Sequence, residues 1–446
     1  MSPSLAVTAA VAMALIVFRA ATQAITIDEA STYILFVGAD PPLHWIGSTN
    51  NHVLNTALMR LMTRLFGVSE FSARLPAMLG AALYISACYR FCKRLDGAVL
   101  KWATLVCLTF SPFVMDYLVA ARGYSLALGF LMTALLADRK TVAGCVYAST
   151  CIGLCFAANF SFAFVCAATW GALLITSGVP LMKRIGAFAV PPLVTTWVIA
   201  LPSILAFPRG ELWYGSHSLR EMVASLLESQ LAHRSAWIYL VPALITAAWL
   251  FAVRRKLPPA AMLFGGVLVV TLALHFAAFH SLGLLYPLDR TGLFLVPLAL
   301  CTIAEAATIP GGWLRSAQVG VLVCVAALSV WSLKLNRFEE WEFNSDSDAV
   351  YARLQCLHAR EQVTHIAAGW PFLGAMNFYR YAGADPLPEV IDETKAATDT
   401  EVFVLDATWN RPALEAHKLD VVWRSSRSEA LIATRQVRLR GSVCFE

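Results

Sequence analysis

From residue 4 to residue 333 the chain alternates long apolar stretches with short polar breaks, and each stretch approaches the length an α-helix needs to cross a bilayer, about 20 residues. Read with a window of that size, the pattern predicts spans near 4–24, 75–92, 99–118, 123–138, 142–159, 162–181, 186–206, 236–253, 258–280, 292–308 and 313–333, about eleven transmembrane helices. The long connection 25–74 breaks the pattern. Between Leu54 and Phe66 its apolar residues recur at helical spacing with Arg60 and Arg64 on another face, which predicts a helix lying in the membrane interface.

After Lys334 the pattern changes, and more than half of the chain's 29 acidic residues follow that point. Helical periodicity at Asp348 to Arg360 and Phe372 to Tyr381 alternates with strand-like runs at Val363 to Ala368 and Glu401 to Leu405. The reading is an all-α polytopic membrane domain over 1–334 and a small soluble α/β domain over 335–446.

Composition excludes an ordinary soluble globule: 58% of residues are hydrophobic, only 14% are charged, and the mean hydropathy is +0.64. The net charge of +5 sits in short clusters, Lys93-Arg94, Arg139-Lys140, Lys183-Arg184 and Arg254-Arg255-Lys256, at every second connection. The positive-inside rule puts these in the cytoplasm, with the N-terminus inside and the tail outside, and no basic face is left for a nucleic acid. Leu5 to Ala24 lacks a basic leader and a small-residue cleavage site, so it reads as a retained first span in the cytoplasmic membrane. Nine of the eleven cysteines lie in or beside spans, where they act as small apolar residues; Cys356 and Cys444 lie in the tail and could form a disulfide in an oxidising compartment.

The ionisable chemistry gathers at the outer rim. Asp28 and Glu29 stand where the first apolar stretch ends, either as a pair of solvated loop charges or as a boundary site able to hold a proton or a cation. Arg122 opens the fourth span from outside and Arg290 the tenth; each can reach an interfacial phosphate, or pair locally with Asp116 and Asp289 respectively. His275 and His280 end the ninth span. Together with Glu29 and His52 they are candidate ligands for a divalent metal ion, without a recognisable ligand spacing. Trp213, Tyr214 and Trp237 read as interfacial anchors or as a sugar-stacking wall. No glycine motif marks a nucleotide site. The alternative class is a lipid-linked-sugar transporter or flippase, or a non-catalytic membrane scaffold; the absence of an internal repeat and of mid-span charge weighs against transport.

The carboxylate pair after the first span, the helical loop, the run from Arg64-Leu65-Phe66-Gly67 to Arg74-Leu75-Pro76, and Ala121-Arg122-Gly123-Tyr124 after the third span resemble the C-type membrane glycosyltransferases that use polyprenyl-phosphate sugars. Protein O-mannosyltransferases and the lipid A aminoarabinose transferase belong to that group. The resemblance covers about 1–140, extends to 275–300 and is weak across the tail. It implies inverting transfer of a sugar from a polyprenyl-phosphate donor to a lipid, glycan or protein hydroxyl on the outer face. It further implies Asp28 as general base, with Glu29 orienting the acceptor, positioning Asp28 or helping to bind a cation, and Asp116 as a second acid. His52 stands where some members carry a lysine on the donor phosphate, so His52, Arg122 and Arg290 form the implied phosphate-binding set. A divalent metal ion is the cofactor left open, since members differ in needing one.

Overall fold

A computed structural model describes residues 3–38, 48, 50–200, 205, 212, 214–230, 240–383 and 387–445. Helix α1 (Pro3–Thr22) carries no acidic residue in its first turn and its basic Arg19 in its last. The polar connection that follows folds at once into the short α2 (Ile27–Thr32), then α3 (Val53–Phe66) and α4 (Glu70–Arg94). Next come α5 (Ala98–Thr109), α6 (Pro112–Val119), α7 (Tyr124–Leu135), α8 (Val142–Ala158), α9 (Ala163–Thr176) and α10 (Leu181–Thr195). The series closes with α11 (Leu219–Gln230), α12 (Leu240–Val253), α13 (Pro259–Leu282), α14 (Leu295–Ala306) and α15 (Gly312–Ser332).

Among the described residues four helices are long and apolar enough to cross a membrane: Ser4–Thr22, Glu70–Arg94, Pro259–Leu282 and Gly312–Ser332. The expected span 99–118 is broken. Its two halves, α5 and α6, meet at 55°, because Pro112 has no N–H to continue the ladder and Ser111 caps the new helix by accepting from Val114 N–H. Other expected spans appear as shorter apolar helices, the 123–138 stretch as the 12-residue α7, and Lys183 and Arg184 fall inside the first turn of α10 instead of before it. The stretch 186–206 runs partly outside the described residues. The predicted helix at Leu54 to Phe66 is α3.

Helices α4 and α7 pack at backbone contact. A Cβ on Gly80 would stand 2.3 Å from Leu126 N, and one on Gly129 would stand 2.6 Å from Gly80 O. Small residues let helices approach this closely where lipid supplies no hydrophobic drive for association. Around them Tyr84, Phe91, Leu105, Leu108, Met132 and Phe294 belong to one continuous apolar core.

The tail is a five-stranded sheet with strand order β2-β1-β3-β5-β4: β1 (Ile366–Ala368), β2 (Val390–Asp392), β3 (Val402–Asp406), β4 (Asp420–Arg424) and β5 (Ala430–Thr434). β1 pairs in parallel with β2 and β3, whereas β5 runs antiparallel to β3 and β4. Strands β3 and β5 are buried throughout because both faces are covered, which hides them from any alternating pattern. On one face α16 (Ser347–Glu361) and α17 (Trp370–Ala382) cover Val402, Val404 and Ile432; on the other α18 (Arg411–Ala416) lies near Phe403 and Leu431. Both predicted tail helices are present. A disulfide joins Cys356 of α16 to Cys444. Residues of the tail, Phe372, Ala375 and Phe378, share a core with Ile25, Ala30 and Tyr33, so the sheet unit packs directly on the loop that carries the carboxylates.

Candidate active site

Thr26-Ile27-Asp28-Glu29 is a capping box. The Thr26 side chain accepts from Glu29 N–H at 3.2 Å, and Glu29 Oε2 accepts from Thr26 N–H at 3.0 Å, which starts α2 at Ile27. The two adjacent acids therefore part company. Glu29 turns inward and is fully buried, while the Asp28 side chain keeps 18% exposure.

Glu29 has no free valence. Arg74 donates to it through Nε and Nη2, both at 2.8 Å, and Ala121 N–H donates to Oε1 at 2.8 Å. Arg74 uses its remaining donors on the carbonyls of Ala20, Gln23 and Ala24, capping the C-terminal end of α1. Burial pushes the Glu29 carboxyl up, but Arg74 outweighs it and holds the group below the usual carboxylate range. One buried ion pair thus ties α1, α2, α4 and the 120–123 turn together.

That turn presents Arg122. Gly123 adopts φ +76°, and a Cβ there would meet Ala158 O at 2.2 Å, so glycine is required on both counts. Asn55 donates to Ala121 O at 3.0 Å. The buried Arg122 guanidinium donates to Thr32 Oγ1 at 2.8 Å and to Asn50 Oδ1, and its Nε lies 4.0 Å from Asp28 Oδ2. From the opposite side Arg290 Nη1 approaches the same oxygen to 3.9 Å and Glu340 Oε1 to 3.7 Å, with its guanidinium carbon 4.8 Å above the Tyr214 ring. Trp341 Nε1–H donates to Asp28 Oδ2 at 3.2 Å. Burial raises the Asp28 carboxyl, yet Arg122, Arg290 and the Trp341 N–H together hold it below the ordinary value.

Asp116 pairs with the buried Arg19, and its Oδ2 accepts from the N–H groups of Glu339 (2.7 Å) and Glu340 (3.2 Å). Arg19 also donates to Arg337 O. The local pairing of Asp116 with Arg122 expected as one alternative is replaced by this one, and Asp116 anchors the strap 337–341 that delivers Glu340 and Trp341. The other local alternative fails too. Asp289 accepts from Tyr214 O–H at 3.3 Å and Ser229 O–H at 3.5 Å, leaving Arg290 to Asp28 and Glu340. Burial pushes the Glu340 carboxyl up against the pull of Arg290.

His52 lies beside this cluster, its ring 5.5 Å from that of Tyr124. Burial first, then the charges of Arg122 and Arg290, push His52 well below its ordinary value of 6.5, so it is neutral at physiological pH in this arrangement, and among the described residues neither ring nitrogen has a hydrogen-bond partner. The expected metal ligands are not brought together either. Among the described residues no three His, Cys, Asp or Glu side chains are gathered as ligands, and the Glu29 oxygens are occupied. His275 is packed between Phe164 and Phe294, and His280 lies against Phe276 and Phe279. Trp213 and Trp237 lie outside the described residues; Tyr214 lies at the site, under Arg290.

Sequence reasoning missed Glu340, Trp341, Arg74 and Arg19. The T-x-x-E spacing at Thr26 could have assigned Glu29 to the helix cap, and the acidic-aromatic run Phe338-Glu339-Glu340-Trp341 directly after the last apolar stretch could have flagged the strap.

No protein-family model matches the sequence, and no curated protein does. Solved structures do match. ArnT from Cupriavidus metallidurans bound to undecaprenyl phosphate superposes with a TM-score of 0.58 at 13% identity, covering 99% of this chain and 100% of that one. The same protein in the apo state gives 0.59 at 13% identity, with 98% of each chain covered. The arabinofuranosyltransferase AftD from Mycobacteria gives 0.51 at 16% identity over 97% of this chain and 40% of that one. At these identities the likeness is one of fold, and the chain has the fold that ArnT has, from its first helix to its C-terminal sheet.

Proposed function

We propose that this chain is an integral membrane glycosyltransferase that moves a sugar from a polyprenyl-phosphate donor to a hydroxyl acceptor on the outer face of the membrane. The observation that carries the reading is the Asp28 carboxylate held between two guanidiniums, Arg122 at 4.0 Å and Arg290 at 3.9 Å, with both Asp28 and Arg290 partly open. Paired guanidiniums suit a phosphate, and a carboxylate beside them suits the proton of an acceptor hydroxyl. The fold shared with a protein crystallised with undecaprenyl phosphate supports the same donor class.

In this reading the acceptor O–H gives its proton to Asp28 as the acceptor oxygen bonds to the anomeric carbon. The bond from that carbon to the phosphate oxygen breaks, and polyprenyl phosphate leaves with its new charge against Arg122 and Arg290. A single displacement inverts the anomeric centre. Before the donor arrives, the two arginines keep Asp28 a weak base. A bound phosphate diverts their charge and adds its own, which raises the carboxyl toward the range where it accepts a proton. Glu29 and Asp116 act as positioning residues, through Arg74 and through the 337–341 strap.

Binding of undecaprenyl phosphate to the full chain in nanodiscs tests the reading. Arg290→Ala loses a charge-assisted contact of about 1.5–3 kcal/mol, a weakening of roughly 10-fold to 100-fold. Unchanged affinity would leave Arg290 a partner of Asp28 and Glu340 alone and would remove the main support for the donor site.

A further inference from the structure

The tail sheet has a feature that the site around Asp28 does not use. The chain leaves β1 into α17 and returns to β2 on one side, whereas it leaves β3 into α18 toward β4 on the other. The carboxyl ends of β1 and β3 therefore diverge, and such a topological switch point is where open α/β sheets bind ligands. Each departing segment carries a tryptophan there. Trp370 is 61% exposed and Trp409 50%, with ring centroids 5.5 Å apart, and Phe343 completes the group at 4.9 Å from Trp409 and 6.4 Å from Trp370.

The chain behind these rings is polar and pinned. Gly369 N–H bonds to Val404 O across the two strands at 2.8 Å, and a Cβ on Gly369 would stand 2.3 Å from the Asn410 side chain. Asn410 accepts from Asp406 N–H at 3.0 Å and donates to Glu393 Oε1 at 2.9 Å, while Asp406 accepts from Trp409 N–H at 2.9 Å. Two large aromatic faces left in water beside fixed carboxylate and amide groups have the make-up of a ligand site: apolar walls, few polar groups, little freedom. A sugar ring matches both halves, with its C–H face on the indoles and its hydroxyls toward the half-buried Glu393 carboxylate that Asn410 holds in place.

The ring cluster is joined to the Asp28 site by one short turn. Phe343 is two residues from Trp341, at most about 7 Å along an extended chain, and the adjoining Asn344 accepts from Ile27 N–H at 2.8 Å. We infer that the exposed ring cluster of Phe343, Trp370 and Trp409 is an acceptor subsite that stacks a neutral sugar ring of a glycan. This inference rests on the glycosyl-transfer reading and names its acceptor class.

The test uses the full chain in nanodiscs, titrated with maltotetraose, mannotetraose and the tetramer of N-acetylglucosamine, with binding followed by calorimetry and tryptophan emission. The expected result is saturable binding of at least one tetrasaccharide, weakened 10-fold or more in the Trp370→Ala, Trp409→Ala double variant and largely kept when both are changed to Phe. Undecaprenyl phosphate should bind parent and variants alike. Absence of binding to all three probes, or equal binding by parent and the double alanine variant, overturns the subsite. So does quenching of Trp370 and Trp409 emission by brominated lipids, which would make the pair a membrane anchor. Binding is read without turnover, so its loss strikes the subsite alone, whereas the Arg290→Ala donor measurement strikes the transfer reading.

Discussion

Burial and partners divide the acids around Arg122 and Arg290 into two kinds, and substitution should separate them. Asp28→Asn keeps size and the Trp341 contact but removes the proton acceptor; turnover should fall by roughly two to four orders of magnitude with the melting temperature little changed. Glu29→Gln instead leaves Arg74 buried without its counter-charge. A broken buried pair costs about 3–5 kcal/mol, so that protein should melt earlier or fail to insert, whatever its activity. Equal stability of the two variants would contradict the division. His52 gives a pH test. Its folded pKa is depressed, so between that value and 6.5 the unfolded chain binds a proton that the folded chain does not, and stability declines as pH falls below 6.5, by up to about 1.4 kcal/mol per pH unit. His52→Gln should flatten that slope in thermal melts taken from pH 7 to pH 5. The sequence displayed Asp28 and both arginines because each stands at the edge of an apolar run. It concealed Glu340 and Trp341 because their relevance depends on Asp116 folding the strap back over 220 residues of chain.

Helix positions were legible from hydropathy because lipid-facing and core-facing sides are both apolar, but helix ends and bends were not, since these depend on local caps. The break between α5 and α6 lies within an apolar stretch that a window average reads as continuous, although Ser111-Pro112 marks it. In the same way Gly80 and Gly129 look like ordinary glycines until α4 and α7 are placed together. Gly80→Ala must push Leu126 backbone aside, at about 1–3 kcal/mol. Gly171→Ala in α9, where nothing lies within 4 Å of the added methyl, is the control and should hold or raise the melting temperature. Similar melting of the two variants in detergent would show that the α4–α7 contact is looser than described. The tail's central strands were partly missed for the opposite reason, as β5 is buried on both faces and carries no alternation.

The covalent tie between Cys356 and Cys444 closes 88 residues of the tail, including every strand of its sheet. Loop-closure entropy over that length makes its reduction cost up to about 4.6 kcal/mol. Reductant should lower the tail's melting transition and, through the contacts of Trp341 and Asn344, weaken transfer. Sidedness is testable on the same molecule. Single cysteines introduced into the tail should react with a membrane-impermeant thiol reagent in intact spheroplasts, and cysteines beside Arg139 or Arg254 should not. The reverse pattern would place Asp28 in the cytoplasm.

Trp341 meets Asp28 across 313 residues of chain, and Asn344 meets Ile27 across 317. Synthesis delivers Asp28 to the bilayer surface with the first helix, long before the strap that completes its surroundings has left the ribosome. Until then the carboxylate lacks Arg290, Trp341 and the fold of the tail. A stalled or prematurely terminated chain therefore presents Asp28 without the surroundings described above.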